Sequence, residues 1–256
     1  DGNKNVVLGT QGIALTTGIQ NILVGSDSGD ALTSGARNVA IGVSTLSTAT
    51  TAGMNVAIGQ SAMEGVASGV ALEGAIGIGK DALTAINSTA ANYTIAIGYQ
   101  AGYSTTSGTN NTAIGYQAGY SNLTGGYNTL LGYQAGYNLL TDNNVAIGWQ
   151  ALYKIGDAAG GGHGESNIAI GVGAIAGGDD TDGNNTGYKN VAIGTATLGG
   201  ATRSSDGAAF TGYENVAIGH DAGTNVSTSY RSVMIGTGAG DAITTTPGVV
   251  LIGYGA

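Results

Sequence analysis

The sequence predicts an all-β protein: a parallel β-solenoid (β-roll) of about 14 rungs of about 17 residues, forming a single repeat domain over residues 1–256. Three observations lead there. A short motif, N-V-A-I-G-x-x-A in its fullest form, recurs fourteen times; its spacing is nearly constant; and the residue before the motif glycine is aliphatic in every copy. Self-similarity at a short fixed period marks a chain whose units stack on one another instead of folding around one centre.

The units centre on Gly9, Gly25, Gly42, Gly59, Gly79, Gly98, Gly115, Gly132, Gly148, Gly171, Gly194, Gly219, Gly236 and Gly253. Seventeen residues is the recurrent interval, and five intervals are longer. The residue before each glycine and the one two places earlier are aliphatic or β-branched, as in Val39 and Ile41 or Thr112 and Ile114. A separation of two places side chains on one strand face, so each unit is expected to hold one short strand. Its Val/Ile pair is expected to face inward, forming aliphatic columns with a rung spacing of about 4.8 Å.

Asn opens ten of the units, including Asn38, Asn55, Asn111, Asn128, Asn144, Asn167, Asn190 and Asn215. An amide repeated at one rung position is expected to form a hydrogen-bonded structural ladder, and asparagine tolerates turn geometry. The motif glycine is expected at a bend that needs positive φ or a close backbone approach. Between the two aliphatic positions stands a third apolar column, Ala40, Ala57, Ala96, Ala113, Ala146, Ala169, Ala192 and Ala217 among others. If the Val/Ile pair faces inward, this column faces outward. A strand apolar on both faces is normally covered on both, so the Ala column is expected to be an oligomer interface, with a homotrimer as the leading assembly.

Composition narrows the function classes. Charged residues are only 9% against 42% hydrophobic, and Gly alone accounts for 49 residues. Disorder requires low hydrophobicity with high net charge, which this chain does not have. The net charge of −9 argues against a nucleic-acid or anionic-membrane partner. No stretch approaches the ~20 apolar residues of a membrane span, and no membrane insertion is expected in this segment. Cysteine is absent, which excludes disulfides and thiolate metal sites.

The core N-V-A-I-G-x-x-A, seen most clearly at Asn38–Gly42, Asn55–Ala62, Asn144–Ala151, Asn190–Gly194 and Asn215–Ala222, resembles the head repeats of trimeric autotransporter adhesins. The resemblance extends over the whole chain. It implies a left-handed parallel β-roll, trimeric about a common axis, that acts as a surface adhesin. The variant Gly-Tyr-Gln-Ala-Gly-Tyr at Gly98–Tyr103, Gly115–Tyr120 and Gly132–Tyr137 is also similar to repeats in phage tail and fibre proteins. Ile114–Gly119 satisfies the hexapeptide rule of left-handed β-helix acyltransferases, but those proteins use three hexapeptides per coil and only one fits here.

Candidate binding residues lie where the repeat varies. Tyr99, Tyr116, Tyr133 and Trp149 follow the motif glycine in four consecutive units, and Tyr103, Tyr120, Tyr137 and Tyr153 stand four places further on. Stacked units would turn these into two aromatic tracks suited to a glycan or protein surface, or into stacking reinforcement. The longest insertions, 149–167, 172–190 and 195–215, are consecutive and are expected to emerge on one side, as binding loops in repeat proteins do. Within them Asp180, Asp182 and Asn184 offer oxygens at alternate positions, a candidate calcium site without the distal glutamate of an EF-hand. No other cofactor is implied.

His163 and His220 fall in different units, and no hydrolase pattern accompanies either, so the chain is expected not to be an enzyme. Threonines are too irregular for an ice-binding array. The expectation is an extracellular, cell-surface or virion fibre module that touches a host or cell-surface glycan or protein. The alternative is a subunit that joins its copies end to end as an extracellular filament.

Overall fold

The structure is a computed structural model that describes residues 4–9, 15–156, 164–176, 185–198 and 210–256. The chain divides into two compact units, Asp1–Tyr127 and Asn128–Ala256. The first carries β1 (Val6–Leu8), β2 (Ile22–Val24), β3 (Val39–Ile41), β4 (Val56–Ile58), β5 (Ile76–Ile78), β6 (Ile95–Ile97) and β7 (Thr112–Ile114), with one 3-10 turn at Thr89–Ala91. The second carries β8 (Thr129–Leu131), β9 (Val145–Ile147), β10 (Ile168–Ile170), β11 (Val191–Ile193), β12 (Val216–Ile218), β13 (Val233–Ile235) and β14 (Val250–Ile252). Within each unit every strand pairs in parallel with the next in chain order, with motif residue opposite motif residue, as in Val39↔Val56 and Ala192↔Ala217. The fold is an all-β parallel solenoid with one strand per coil and a usual coil of 17 residues.

Each strand stops at the motif glycine because two constraints meet there. The backbone turns through positive φ, +139° at both Gly42 and Gly98. A Cβ at Gly98 would also stand 2.3 Å from the carbonyl oxygen of Gly115 in the next rung, and one at Gly194 would stand 2.4 Å from that of Gly219. Between such rungs any side chain would push the coils apart, whereas at Gly9 and Gly253 no such contact exists and the positive φ, +88° and +137°, alone favours glycine.

The residue before the Asn position also adopts positive φ, although it is seldom glycine: Arg37 (+60°), Met54 (+58°), Lys189 (+54°), Glu214 (+55°) and Arg231 (+55°). This conformation costs an L-residue roughly 1–2 kcal/mol. A hydrogen bond to the preceding coil holds it in place, Arg37 N to Ile19 O at 3.0 Å and Met54 N to Ala36 O at 2.8 Å.

The asparagines form a buried ladder. Asn38 donates both its backbone N–H and its Nδ2 to Asn21 Oδ1, at 2.9 and 3.0 Å, and Nδ2 also reaches Ala52 O at 2.7 Å. Asn55 repeats the pattern on Asn38, Asn167 on Asn144, Asn190 on Asn167 and Asn215 on Asn190. The backbone N–H of Asn144 donates to Asn128 Oδ1 at 2.8 Å, and Asn111 Nδ2 reaches Gly125 O at 2.7 Å. A buried amide costs free energy unless its donors and acceptor are satisfied, and each rung satisfies its neighbour.

The strand faces are opposite to the expected assignment. The middle residue points into the coil: Ala40, Ala57, Ala96, Ala146, Ala169, Ala192 and Ala217 are 0% exposed and Ala113 is 3% exposed within the single chain. The Val/Ile positions on either side face outward and are half-buried or exposed, Ile41 at 38% and Ile193 at 37%. The Ala column therefore cannot be an oligomer interface. The physical reason is volume: a coil of 17 residues has a narrow interior that larger aliphatic side chains would overfill if they lined it in every rung.

That interior is filled by exchange of large and small residues between the strand centre and the position four beyond the motif glycine. Ala40 goes with Leu46, Ala57 with Met63, Gly77 with Leu83, Ala146 with Leu152 and Ala192 with Leu198; all these Leu and Met side chains are fully buried. Where the strand centre is large the partner is glycine. A Cβ at Gly29 would meet Leu23 Cδ2 at 2.9 Å, one at Gly136 would meet Leu130 Cδ2 at 2.7 Å, and one at Gly240 would meet Met234 Sδ at 2.6 Å. In the rungs of Ala96, Ala113 and Ala217 both positions are small, with Gly102, Gly119 and Gly223 as partners, and neighbouring rungs fill in: a Cβ at Gly102 would meet Leu83 Cδ2 at 2.9 Å and one at Gly223 would meet Leu198 Cδ2 at 3.1 Å. Each buried Leu contributes roughly 1.5–3 kcal/mol.

Candidate functional site

Three outward features stand out: the aliphatic strand face, the aromatic tracks and a groove where one track ends. The strand face carries two columns, Asn+1 and Asn+3. Every member is Val, Ile or Leu except Thr112 and Thr129. None is charged, and the face is equally apolar in both units.

The aromatic residues stack as the repeat requires. In the first unit Tyr99 lies on Tyr116 with centroids 5.2 Å apart, and Tyr103 on Tyr120 at 5.1 Å. In the second, Tyr133 lies on Trp149 at 6.4 Å and Tyr137 on Tyr153 at 5.2 Å. Tyr99, Tyr116, Tyr133 and Trp149 are exposed, whereas Tyr103, Tyr120, Tyr137 and Tyr153 are half-buried. Parallel stacking with small interplanar angles leaves ring edges toward solvent. Lys154 Nζ stands 5.7 Å from the Tyr153 ring centroid, within cation–π range.

Beside the exposed track runs a glutamine ladder that the sequence reading missed. Gln117 Nε2 donates to Gln100 Oε1 at 2.9 Å in the first unit, and Gln150 Nε2 to Gln134 Oε1 at 2.8 Å in the second. Its signal was present in the repeated Gly-Tyr-Gln. A second missed feature is the stack Tyr188–Tyr213–Tyr230, with centroids 5.0 and 4.8 Å apart and rings within 4° of parallel. Here the recurring cue is a tyrosine two places before the Asn position, away from the motif glycine. Charges flank this stack: Arg231 Nε donates to Glu214 Oε2 at 2.8 Å. That hydrogen bond, reinforced by the charges of Arg231 and Lys189, holds the Glu214 carboxyl below its usual range, and the same bond with the Glu214 charge raises Arg231.

A groove of about 220 Å³ opens in the second unit where both columns change character. After Tyr133 and Trp149 the exposed column continues with Val172 and Thr195, and after Gln134 and Gln150 the ladder position is taken by Gly173 and Ala196. Loss of two long side chains in successive rungs leaves the space, which Trp149 and Gln150 bound on one side. In the following rung His220 Nδ1 lies 3.1 Å from Asp221 Oδ2.

Other expected sites fall differently. Asp180, Asp182 and Asn184, the candidate calcium ligands, lie outside the described residues, as do His163 and much of the three long insertions. Among the described residues no group of three or more His, Cys, Asp or Glu side chains is placed to hold a metal ion, and no helix is long and apolar enough to cross a membrane. No protein-family model, curated protein or solved structure matches this chain.

Proposed function

We propose that the chain is a non-enzymatic module of an extracellular or virion-surface fibre, and that it assembles with copies of itself through the Val/Ile strand face into a trimer of left-handed rolls. The observation that carries the reading is the face itself, two uncharged columns, aliphatic everywhere but Thr112 and Thr129, carried by the strands of a parallel sheet. Parallel sheets are covered on both faces, and a contiguous exposed apolar patch on this scale is a contact surface. A second copy is the occupant that fits best, because its face has the same rung spacing and the same lack of charge. On a chain of net charge −9 the absence of any acid from these columns keeps copies from repelling one another there. The aromatic tracks support an adhesive role for the assembled module, with glycan or protein as the contacted surface.

Light scattering of the purified chain tests the assembly. The expected mass is three times the 24.9 kDa of one chain; a monodisperse monomer at micromolar concentration overturns it. Electron microscopy separates the adhesin or fibre module, seen as discrete short particles, from a filament subunit, seen as long fibres that grow with concentration.

A further inference from the structure

We infer that the groove beside Trp149 is a binding subsite for one neutral pyranose ring of a glycan. It adds a ligand class to the adhesive reading above but does not require self-association, since none of the residues lining it belongs to a strand.

The case begins with the interruption of a regular surface. Gln134 and Gln150 hold positive φ, +53° and +52°, and project side chains that bond to each other. Gly173 stands at the same point of the next rung with the same backbone, φ +61°, yet a Cβ built there meets nothing within 4 Å. Packing therefore does not demand this glycine. Ala196 follows in the next rung, again at positive φ, linked by Ala196 N to Val172 O at 2.9 Å. Two successive small residues, directly after the two rungs that carry Gln134 and Gln150 at this point, leave a space that neither the fold nor the turn geometry requires.

What borders the space suits a sugar. Tyr133 covers one face of the Trp149 indole, at an interplanar angle of 11°, so the other face looks toward the rung of Val172 and Gly173. An indole face offers a platform for the C–H face of a pyranose, while its polar rim needs hydrogen-bonding groups. Gln150 and Thr195, which carry an amide and a hydroxyl, are among the residues that line the groove. The volume of about 220 Å³ lies below the roughly 300 Å³ at which pockets begin to enclose drug-sized molecules, which limits the occupant to about one ring. Among the described residues no Lys or Arg lines the groove, and the whole chain is acidic, so a neutral sugar is favoured over a sialylated or sulfated one.

Trp149 is the only tryptophan in the chain, so its emission reports this groove alone. The probes are the methyl glycosides of galactose, glucose, mannose and N-acetylglucosamine. Each is titrated into the full chain well past the ~1 mM range where weak single-ring binding saturates. At least one is expected to give a saturable change in Trp149 emission, together with saturation-transfer NMR signals from its ring protons. Gly173→Gln restores the side chain carried by the two preceding rungs, in a conformation they already adopt. It should keep the circular dichroism spectrum and weaken binding at least tenfold. Absence of a saturable response from all four glycosides overturns the proposal, and so does a folded Gly173→Gln chain that binds as the parent does. A monomeric chain in light scattering would sink the assembly reading alone, because the emission test does not depend on it.

Discussion

The inward face of the strands is mostly alanine, with Gly77 smaller and Leu23, Leu130 and Met234 larger, whereas the outward face carries Val or Ile in nearly every rung. In most half-covered sheets the larger apolar residues face the core. Here the order is reversed because the coil supplies its own interior from the turn, through Leu46, Met63, Leu83, Leu152 and Leu198, and leaves room only for a small residue on the strand. The larger aliphatic side chains are thus carried on the outer surface of the coil. An inner column that varies in size with its partner is a packing solution, while an outer pair that hardly varies is the surface proposed above to meet other copies.

The sharpest way to break this comparison uses neighbours in β9. Ala146→Glu places a carboxylate in the closed interior, and a buried unpaired charge costs on the order of 3–5 kcal/mol. Its rung and those beside it should lose structure, read as a fall in strand signal by circular dichroism and lost amide protection. Ile147→Glu, one residue on, points outward. Stability of the single chain should change by no more than about 1 kcal/mol, as for surface substitutions, while the assembled mass in light scattering falls. If the two variants exchange behaviour, the assignment of the faces is wrong.

A smaller effect is expected from the ladder that anchors both faces. Asn190 is fully buried, its Oδ1 accepts from the backbone N–H and Nδ2 of Asn215, and its Nδ2 donates to Asn167 Oδ1 and Gly212 O. Asn190→Ala strands the Asn215 N–H and the Gly212 carbonyl, at roughly 1–3 kcal/mol for each unsatisfied group. The loss should fall toward the low end, because the first unit already accommodates Ala75 at this position, with Ala75 N bonded to Asn55 Oδ1 at 2.9 Å. The measurement is the thermal midpoint together with hydrogen exchange at the Asn215 amide. Unchanged protection there would show that the ladder contributes nothing to rung stacking.

How much of this was legible follows from which signals alternate. All fourteen strands lie where the aliphatic residue before each motif glycine places them, and the Asn column reads directly from its period. The direction of the faces does not, because Val, Ala and Ile are all apolar and a two-residue alternation without a polar partner has no sign. The usable signal lay further off, in the inverse sizes of Leu23 and Gly29 against Ala40 and Leu46. The groove at Trp149 was hidden for another reason. Gly173 and Ala196 align with Gln150 only after intervals of 23 residues are set against the usual 17, so the break in the column does not show in local sequence.

The smallest expected effect concerns the charged edge beside the Tyr188–Tyr213–Tyr230 stack, which contrasts with the uncharged strand face. The hydrogen bond from Arg231 lowers the Glu214 carboxyl below its usual range in the folded chain. A carboxyl whose folded value is depressed gives up stability as the pH falls. The contribution is fully present above the ordinary carboxylate range of the unfolded chain and disappears as the pH drops through the lower, folded value. Both side chains are exposed, 67% for Arg231 and 37% for Glu214, so salt screens the pair strongly. Glu214→Gln should therefore leave thermal stability in acid unchanged and lower it slightly at neutral pH, with the difference vanishing in high salt. A parallel melt of Ile147→Glu extends the contrast: a new acid between Leu131 and Ile170, its uncharged neighbours in the adjacent strands, should show the opposite trend and recover stability as the pH falls.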